Sequence, residues 1–197
     1  MSEPTPEPVS RRAIAVIVGI GVLAIALVAL SLVRPDVPEY APTPETGVDS
    51  ASDGSRTLTV DATDSERWRY VTLATGAVSD AAQPGWDLTV RRFEIRVNGG
   101  RGFAGQGGVQ SLGLVALDSV VALPADGYAG MEINGRDTAQ ALLDDWYAYS
   151  FTSHLLTARD QTLAVRTADG RPAALRVLSY YCPGAEPGCL TIRYRFR

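Results

Sequence analysis

The chain has 197 residues, 46% of them hydrophobic and 20% charged, enough for one folded domain with accessories. Its net charge of −4 comes entirely from residues 1–54, where Arg11, Arg12 and Arg34 face seven acidic residues. Residues 55–197 are balanced, and a neutral domain lacks the basic footprint that phosphate backbones select, which argues against nucleic acid as a partner.

Residues 13–33 read AIAVIVGIGVLAIALVALSLV, with no charge and a single Ser. As a helix at about 1.5 Å per residue this stretch covers roughly 31 Å, the thickness of a bilayer's hydrocarbon. A cleaved signal peptide is the competing reading, but its apolar region runs only about 7–15 residues. The spacing therefore predicts a transmembrane helix over 13–33. Arg11 and Arg12 precede it and only Arg34 follows, so the positive-inside rule puts residues 1–12 in the cytoplasm as a tail. The rest of the chain is then extracytoplasmic. No Cys follows the segment closely enough to carry a lipid.

Residues 34–54 (RPDVPEYAPTPETGVDSASDG) hold four Pro and five acidic residues. Such a composition buries too little apolar surface to offset chain entropy. We expect a semi-extended tether.

From residue 55 onward the pattern is all-β, mostly antiparallel. Trp68, Tyr70 and Thr72 alternate with Arg69, Val71 and Leu73. Leu190, Ile192, Tyr194 and Phe196 alternate with Thr191, Arg193, Arg195 and Arg197, which reads as a half-buried strand. Thr162–Thr167 and Ala173–Tyr181 flank an Asp169-Gly170 turn, so the last 36 residues read as a three-stranded meander. In Trp86–Val97 the apolar phase slips by one residue. Either a bulge at Arg91-Arg92 or a strand buried on both faces accounts for this. One short helix is expected, over Thr138–Tyr147, with Asp137 as its N-cap.

Cys182 and Cys189 bracket PGAEPG between two strands. In an oxidising compartment that spacing predicts a disulfide across a hairpin end, against the alternative of two free thiols.

The residues nominate no enzyme. There is no Lys, which removes Schiff-base and P-loop lysines. Gly100-x-Gly102-x-x-Gly105 matches a dinucleotide fingerprint, but no helical periodicity follows it. It reads as a flexible loop. No G-x-S-x-G is present, and Ser153 adjoins His154 on an expected strand, so their side chains oppose. The Asp144-Asp145 pair reads as solvated or capping. One His and two Cys cannot complete a four-ligand structural zinc site. His154 is the sole imidazole and Met131 the only Met besides the initiator. Each has a structural reading. Each could also serve as an axial ligand to haem iron.

Several residues together resemble the HmuY-type haem-binding protein family: Trp68-x-Tyr70, Trp86-Asp87, Arg92-Phe93, Asn98-Gly99-Gly100 and the Gly-rich run. The resemblance resumes at Trp146-Tyr147, Thr152-Ser153-His154, Val165–Gly170 and Ser179-Tyr180-Tyr181, covering roughly 60–196. It implies a mostly β fold and an envelope protein that binds haem through two axial side chains, a His pair in some members and Met in others. Members are usually lipoproteins. This chain departs from them in its apolar helix and its single His. The expectation is a membrane-anchored, extracytoplasmic domain (55–197) that binds haem or another small apolar ligand. A cleft beside the Gly-rich loop would hold the ligand, and His154, with Met131, would ligate iron. The other reading is an envelope binding or structural domain without haem ligands. The sequence names no protein partner.

Overall fold

The computed structural model describes residues 10–31, 36–132 and 138–197. They fall into two units, divided after Asp36. The first holds helix α1 (Arg11–Ser31), whose large apolar side chains are exposed. Its backbone is bonded internally and it has no polar face, the form a chain takes in lipid. It is long and apolar enough to cross a membrane. Residues 32–33 of the expected span lie outside the described residues.

The second unit is mostly antiparallel β-sheet. Strands β1 (Arg56–Asp61), β2 (Arg69–Thr72), β3 (Ala77–Ser79), β4 (Leu88–Arg91) and β5 (Glu94–Val97) come first. Then come β6 (Gly100–Arg101), β7 (Gly108–Gly113), a 3₁₀ turn at Leu117–Ser119 and β8 (Met131–Glu132). Helix α2 (Thr138–Asp144) leads to β9 (Tyr147–Tyr149) and β10 (Leu156–Ala158). The chain ends in β11 (Thr162–Arg166), β12 (Pro172–Cys182) and β13 (Glu186–Phe196), the expected meander.

Five strands pair in the order β1-β13-β12-β11-β7 and four in the order β3-β2-β4-β5. Leu58, Val60, Leu175, Ile192 and Tyr194 from the larger sheet share one core with Val71, Val78, Leu88, Val90 and Ile95 from the smaller. Strands β9 and β10 form a separate hairpin, and the two-residue pair β6–β8 is parallel. That parallel pair needs glycine. A Cβ on Gly100 would lie 2.1 Å from the Met131 carbonyl oxygen, and one on Gly99 would lie 1.9 Å from that of Gly107. The Gly-rich run is thus a packed crossing of backbones.

Local expectations are corrected in four places. The phase slip in Trp86–Val97 is not a bulge in one strand; β4 is covered on both faces at Leu88, Thr89 and Val90, but the slip itself is a turn. Arg91 pairs with Glu94, so Arg92-Phe93 is a two-residue hairpin turn, with Arg92 at φ 52°. The turn reverses the chain and returns Ile95 and Val97 to the core side. Helix α2 stops at Asp144, because Trp146 is drawn into the core and β9 begins at Tyr147. The expected cap, Asp137, lies outside the described residues. His154 is on no strand; it sits in the β9–β10 turn at φ 57°. Finally, β13 is covered on both faces. Thr191 Oγ1 lies 3.0 Å from Thr59 Oγ1, and Arg195 donates to the Leu117 and Asp118 carbonyls of the 3₁₀ turn.

Residues 37–54 differ from the free tether expected of them. They lie along the domain as a strap. The N–H groups of Tyr40, Thr43 and Val48 donate to the carbonyls of Tyr181, Thr59 and Thr75 at 3.0, 2.9 and 3.2 Å. The Ser179 hydroxyl donates to the Pro38 carbonyl. Glu45 pairs with Arg69 at 3.1 Å and Asp53 with Arg193 at 2.6 Å. Strands β1 and β3 are sheet edges, and an extended polar segment satisfies an edge with hydrogen bonds. An argument from apolar burial is blind to that.

Candidate functional site

Three hairpin ends meet at one side of the β-domain: the β4–β5 turn, the β9–β10 turn and the β12–β13 turn. Between them lies a cavity of about 340 Å³ lined by Arg92, Phe93, Tyr149, His154, Tyr180 and Ala185, with Leu155 and Leu156 among its apolar surface. That volume falls within the range of small-molecule sites.

Its backbone is unusual. Arg92, His154 and Ala185 have φ of 52°, 57° and 59°, and are the only non-glycine residues with positive φ among the described residues. All three line this cavity. A non-glycine residue held in that region costs of order 1–3 kcal/mol, and such strain concentrates at functional sites.

Each side chain has a structural reason for its place. The β9–β10 turn is closed by Ser150 N–H to Leu155 O at 2.9 Å and His154 N–H to Ser150 O at 2.8 Å. The left-handed step at His154 returns its imidazole toward β9. There Nδ1 lies 2.5 Å from the Tyr149 hydroxyl. Arg92 donates to the Thr63 and Pro187 carbonyls at 2.9 and 3.1 Å, and its guanidinium lies 5.8 Å from the Tyr180 ring centre. Tyr181 Oη accepts from Leu156 N–H at 2.8 Å. Tyr180 is buried, and its hydroxyl has no hydrogen-bond partner among the described residues. Burial pushes this phenol above its usual range, partly offset by the Arg92 cation. It stays protonated, a donor without an acceptor.

The two expected iron ligands are not brought together. His154 is exposed at the cavity mouth. Met131 is 3% exposed, lies in the core beside Gly100 and is absent from the cavity lining. Its thioether is consumed by packing. A groove does run beside the Gly-rich loop, lined by Gln83, Trp86, Asn98 and Phe103, but His154 is not in it. The predicted disulfide is present: Cys182 and Cys189 are bridged with Cα atoms 4.9 Å apart, and Ala185 and Pro187 of the cavity lie between them. Among the described residues no group of three or more His, Cys, Asp or Glu could hold a bare metal ion.

Sequence reasoning missed Tyr149 as His154's partner. The signal was a Tyr and a His five residues apart across a turn. The family-like residues at Asp87 and Asn98 prove structural. The Asp87 carboxylate accepts from Leu73 N–H and Ala168 N–H at 2.7 and 2.8 Å. Asn98 donates to the Trp86 carbonyl at 2.8 Å and accepts from Gly105 N–H at 3.2 Å.

Fold and cavity together define a mostly antiparallel β-sheet domain with a pocket made of hairpin ends. The chain belongs to the HmuY protein family, whose model matches residues 64–194. Solved structures share the fold. One is the apo HmuY analog of Tannerella forsythia, 18% identical, with TM-score 0.56, covering 73% of this chain and 95% of that one. A Bacteroides vulgatus protein described as HmuY-like and heme-binding is 21% identical, with TM-score 0.55, covering 81% and 97%. Apo PinO of Porphyromonas gingivitis is 14% identical, with TM-score 0.56, covering 72% and 96%. No curated protein sequence matches the chain.

Proposed function

We propose that the β-domain binds haem or a closely related porphyrin in the cavity at His154, and that α1 anchors it to the cytoplasmic membrane with the domain on the outer side. One observation carries the ligand site: the described chain's three strained non-glycine residues converge on a cavity that also holds its sole imidazole. Membership of the HmuY family supports the choice of ligand.

The lining fits such a group. Phe93, Leu155 and Leu156 offer apolar and aromatic surface to a macrocycle. Arg92 offers a cation to a carboxylate edge, and the orphaned Tyr180 hydroxyl offers a hydrogen bond. Haem would supply an iron open to axial ligation, and the Tyr149–His154 pair is the donor set that the cavity presents to it. Met131 takes no part.

The test is a hemin titration of the full chain in lipid nanodiscs, with empty nanodiscs as reference. A saturable Soret change is expected, weakened by His154→Asn, which tolerates the same left-handed backbone. A response that never saturates, or that ignores the substitution, favours an envelope binding domain without haem. A periplasm-dependent reporter fused after Arg197 should be active; activity only in the cytosol would overturn the orientation.

A further inference from the structure

The short contact between Tyr149 and His154 admits two opposite uses. In one, Nδ1–H donates to the phenol oxygen and leaves Nε2 as the iron donor. In the other, the phenol donates to Nδ1, and the oxygen, on losing its proton, becomes the donor. We propose the second: in the haem-binding reading of this cavity, on which the inference rests, Tyr149 binds ferric iron as a phenolate and His154 is the base that holds its proton.

Four observations carry this. Tyr149 is rooted in a strand, paired in register with Leu156, whereas His154 sits on a strained turn. The phenol oxygen and Nδ1 are 2.5 Å apart, so the proton has a receiver already in place. The imidazole is exposed, so an imidazolium formed there keeps its hydration. Met131 is buried and His154 is the only imidazole, so no second neutral donor lines this cavity to complete an imidazole-based axial pair. An anionic oxygen is sufficient alone, because it offsets the single positive charge left on a ferric porphyrin. The cavity's other phenols are unsuited: burial disfavours the charged form of Tyr180, and Tyr181 Oη is buried and taken by the Leu156 N–H.

The step balances without an added reagent. The Tyr149 O–H bond breaks, its proton passes to Nδ1, and the freed oxygen lone pair forms the bond to iron. Iron stays ferric throughout. A hard phenolate prefers the ferric ion, whereas neutral imidazole serves both oxidation states. The site would therefore release its ligand on reduction.

The experiment titrates the full chain in nanodiscs with ferric hemin, dithionite-reduced haem and metal-free protoporphyrin, comparing wild type, Tyr149→Phe and His154→Asn. Resonance Raman of the ferric complex should show iron–phenolate modes in wild type and none in Tyr149→Phe. Tyr149→Phe should weaken ferric hemin by more than about tenfold. It should leave metal-free protoporphyrin unchanged, which also shows that the variant is folded. His154→Asn should weaken ferric binding by about 10-fold or more while keeping the phenolate modes, as expected of a group that acts through its hydrogen bond. Reduction should weaken the wild type. If Tyr149→Phe keeps the ferric spectrum and affinity while His154→Asn abolishes them, imidazole is the donor: the inference fails and haem binding stands. If neither hemin nor metal-free protoporphyrin binds wild type saturably, the haem-binding reading itself fails.

Discussion

The indole N–H of Trp146 donates to the carbonyl of Phe93 at 2.9 Å, joining residues 53 apart in the chain. Trp146 is 1% exposed and does not touch the cavity space, yet it holds the turn that carries Arg92 and Phe93 into it. Rings of Phe93, Tyr147 and Tyr180 pack edge-on around the same point.

Trp146→Phe removes that donor and leaves the Phe93 carbonyl unpaired, at a cost of about 1–3 kcal/mol. Trp146→Ala adds a large void and should cost about 3–5 kcal/mol. Urea unfolding followed by far-UV circular dichroism measures both. Trp146→Phe should also weaken hemin binding, although the side chain is remote from the ligand.

Asp87 stitches the smaller sheet to the β11–β12 turn through its two backbone N–H partners. Asp87→Asn turns an amide group toward one of those donors and should cost about 1–3 kcal/mol. Burial, opposed by the Ala168 and Leu73 N–H groups, raises this carboxyl above its ordinary 3.8. A raised folded value means that the group's contribution is full below 3.8 and is lost as pH rises through the shifted value. The stability gap between wild type and Asp87→Asn should therefore narrow as pH rises from the acid side.

Asp53 runs the other way. The Ser55 hydroxyl and N–H, with Arg193, hold its carboxyl at about 2, below the ordinary 3.8. Its contribution is present above 3.8 and lost as pH falls toward 2. Asp53→Asn should flatten the acid limb of the stability curve in that window. Acid titration of thermal unfolding reads it, and an unchanged slope would rule the role out.

Reducing the Cys182–Cys189 bridge should cost about 2.5 kcal/mol by chain entropy for so short a loop. The effect should reach the ligand, because Ala185 and Pro187 line the cavity from inside that loop. Paired Cys→Ser substitutions, or a thiol reductant, should lower both the unfolding midpoint and hemin affinity. The two thiols of the native chain should resist alkylation until reduced.

How much of this was legible depends on range. The meander from Thr162 to Phe196 was readable because its alternation and its Asp-Gly turn are local signals. The disulfide was readable because the cysteines flank one hairpin. The Arg92-Phe93 turn was misread because two bulky residues replace the usual turn chemistry, and only strand pairing shows where the chain reverses. His154 stands out in the sequence as the sole imidazole, but its partner Tyr149 does not. Met131 sits 23 positions before it in sequence and, unlike Tyr149, on an element that packs elsewhere. The burial of Arg195 was hidden because the carbonyls that receive it come from residues near 118. Family resemblance located the domain; it did not locate the cavity.

The strap at 37–54 sets where this domain can be cut. A chain trimmed to begin at Ser55 would present β1 with a bare outer rail, its Thr59 groups stripped of Thr43. Such rails find one another in solution. Expression trials begun at Val37 should yield monomers, and those begun at Ser55 should yield clumped material, although both retain every residue of the cavity.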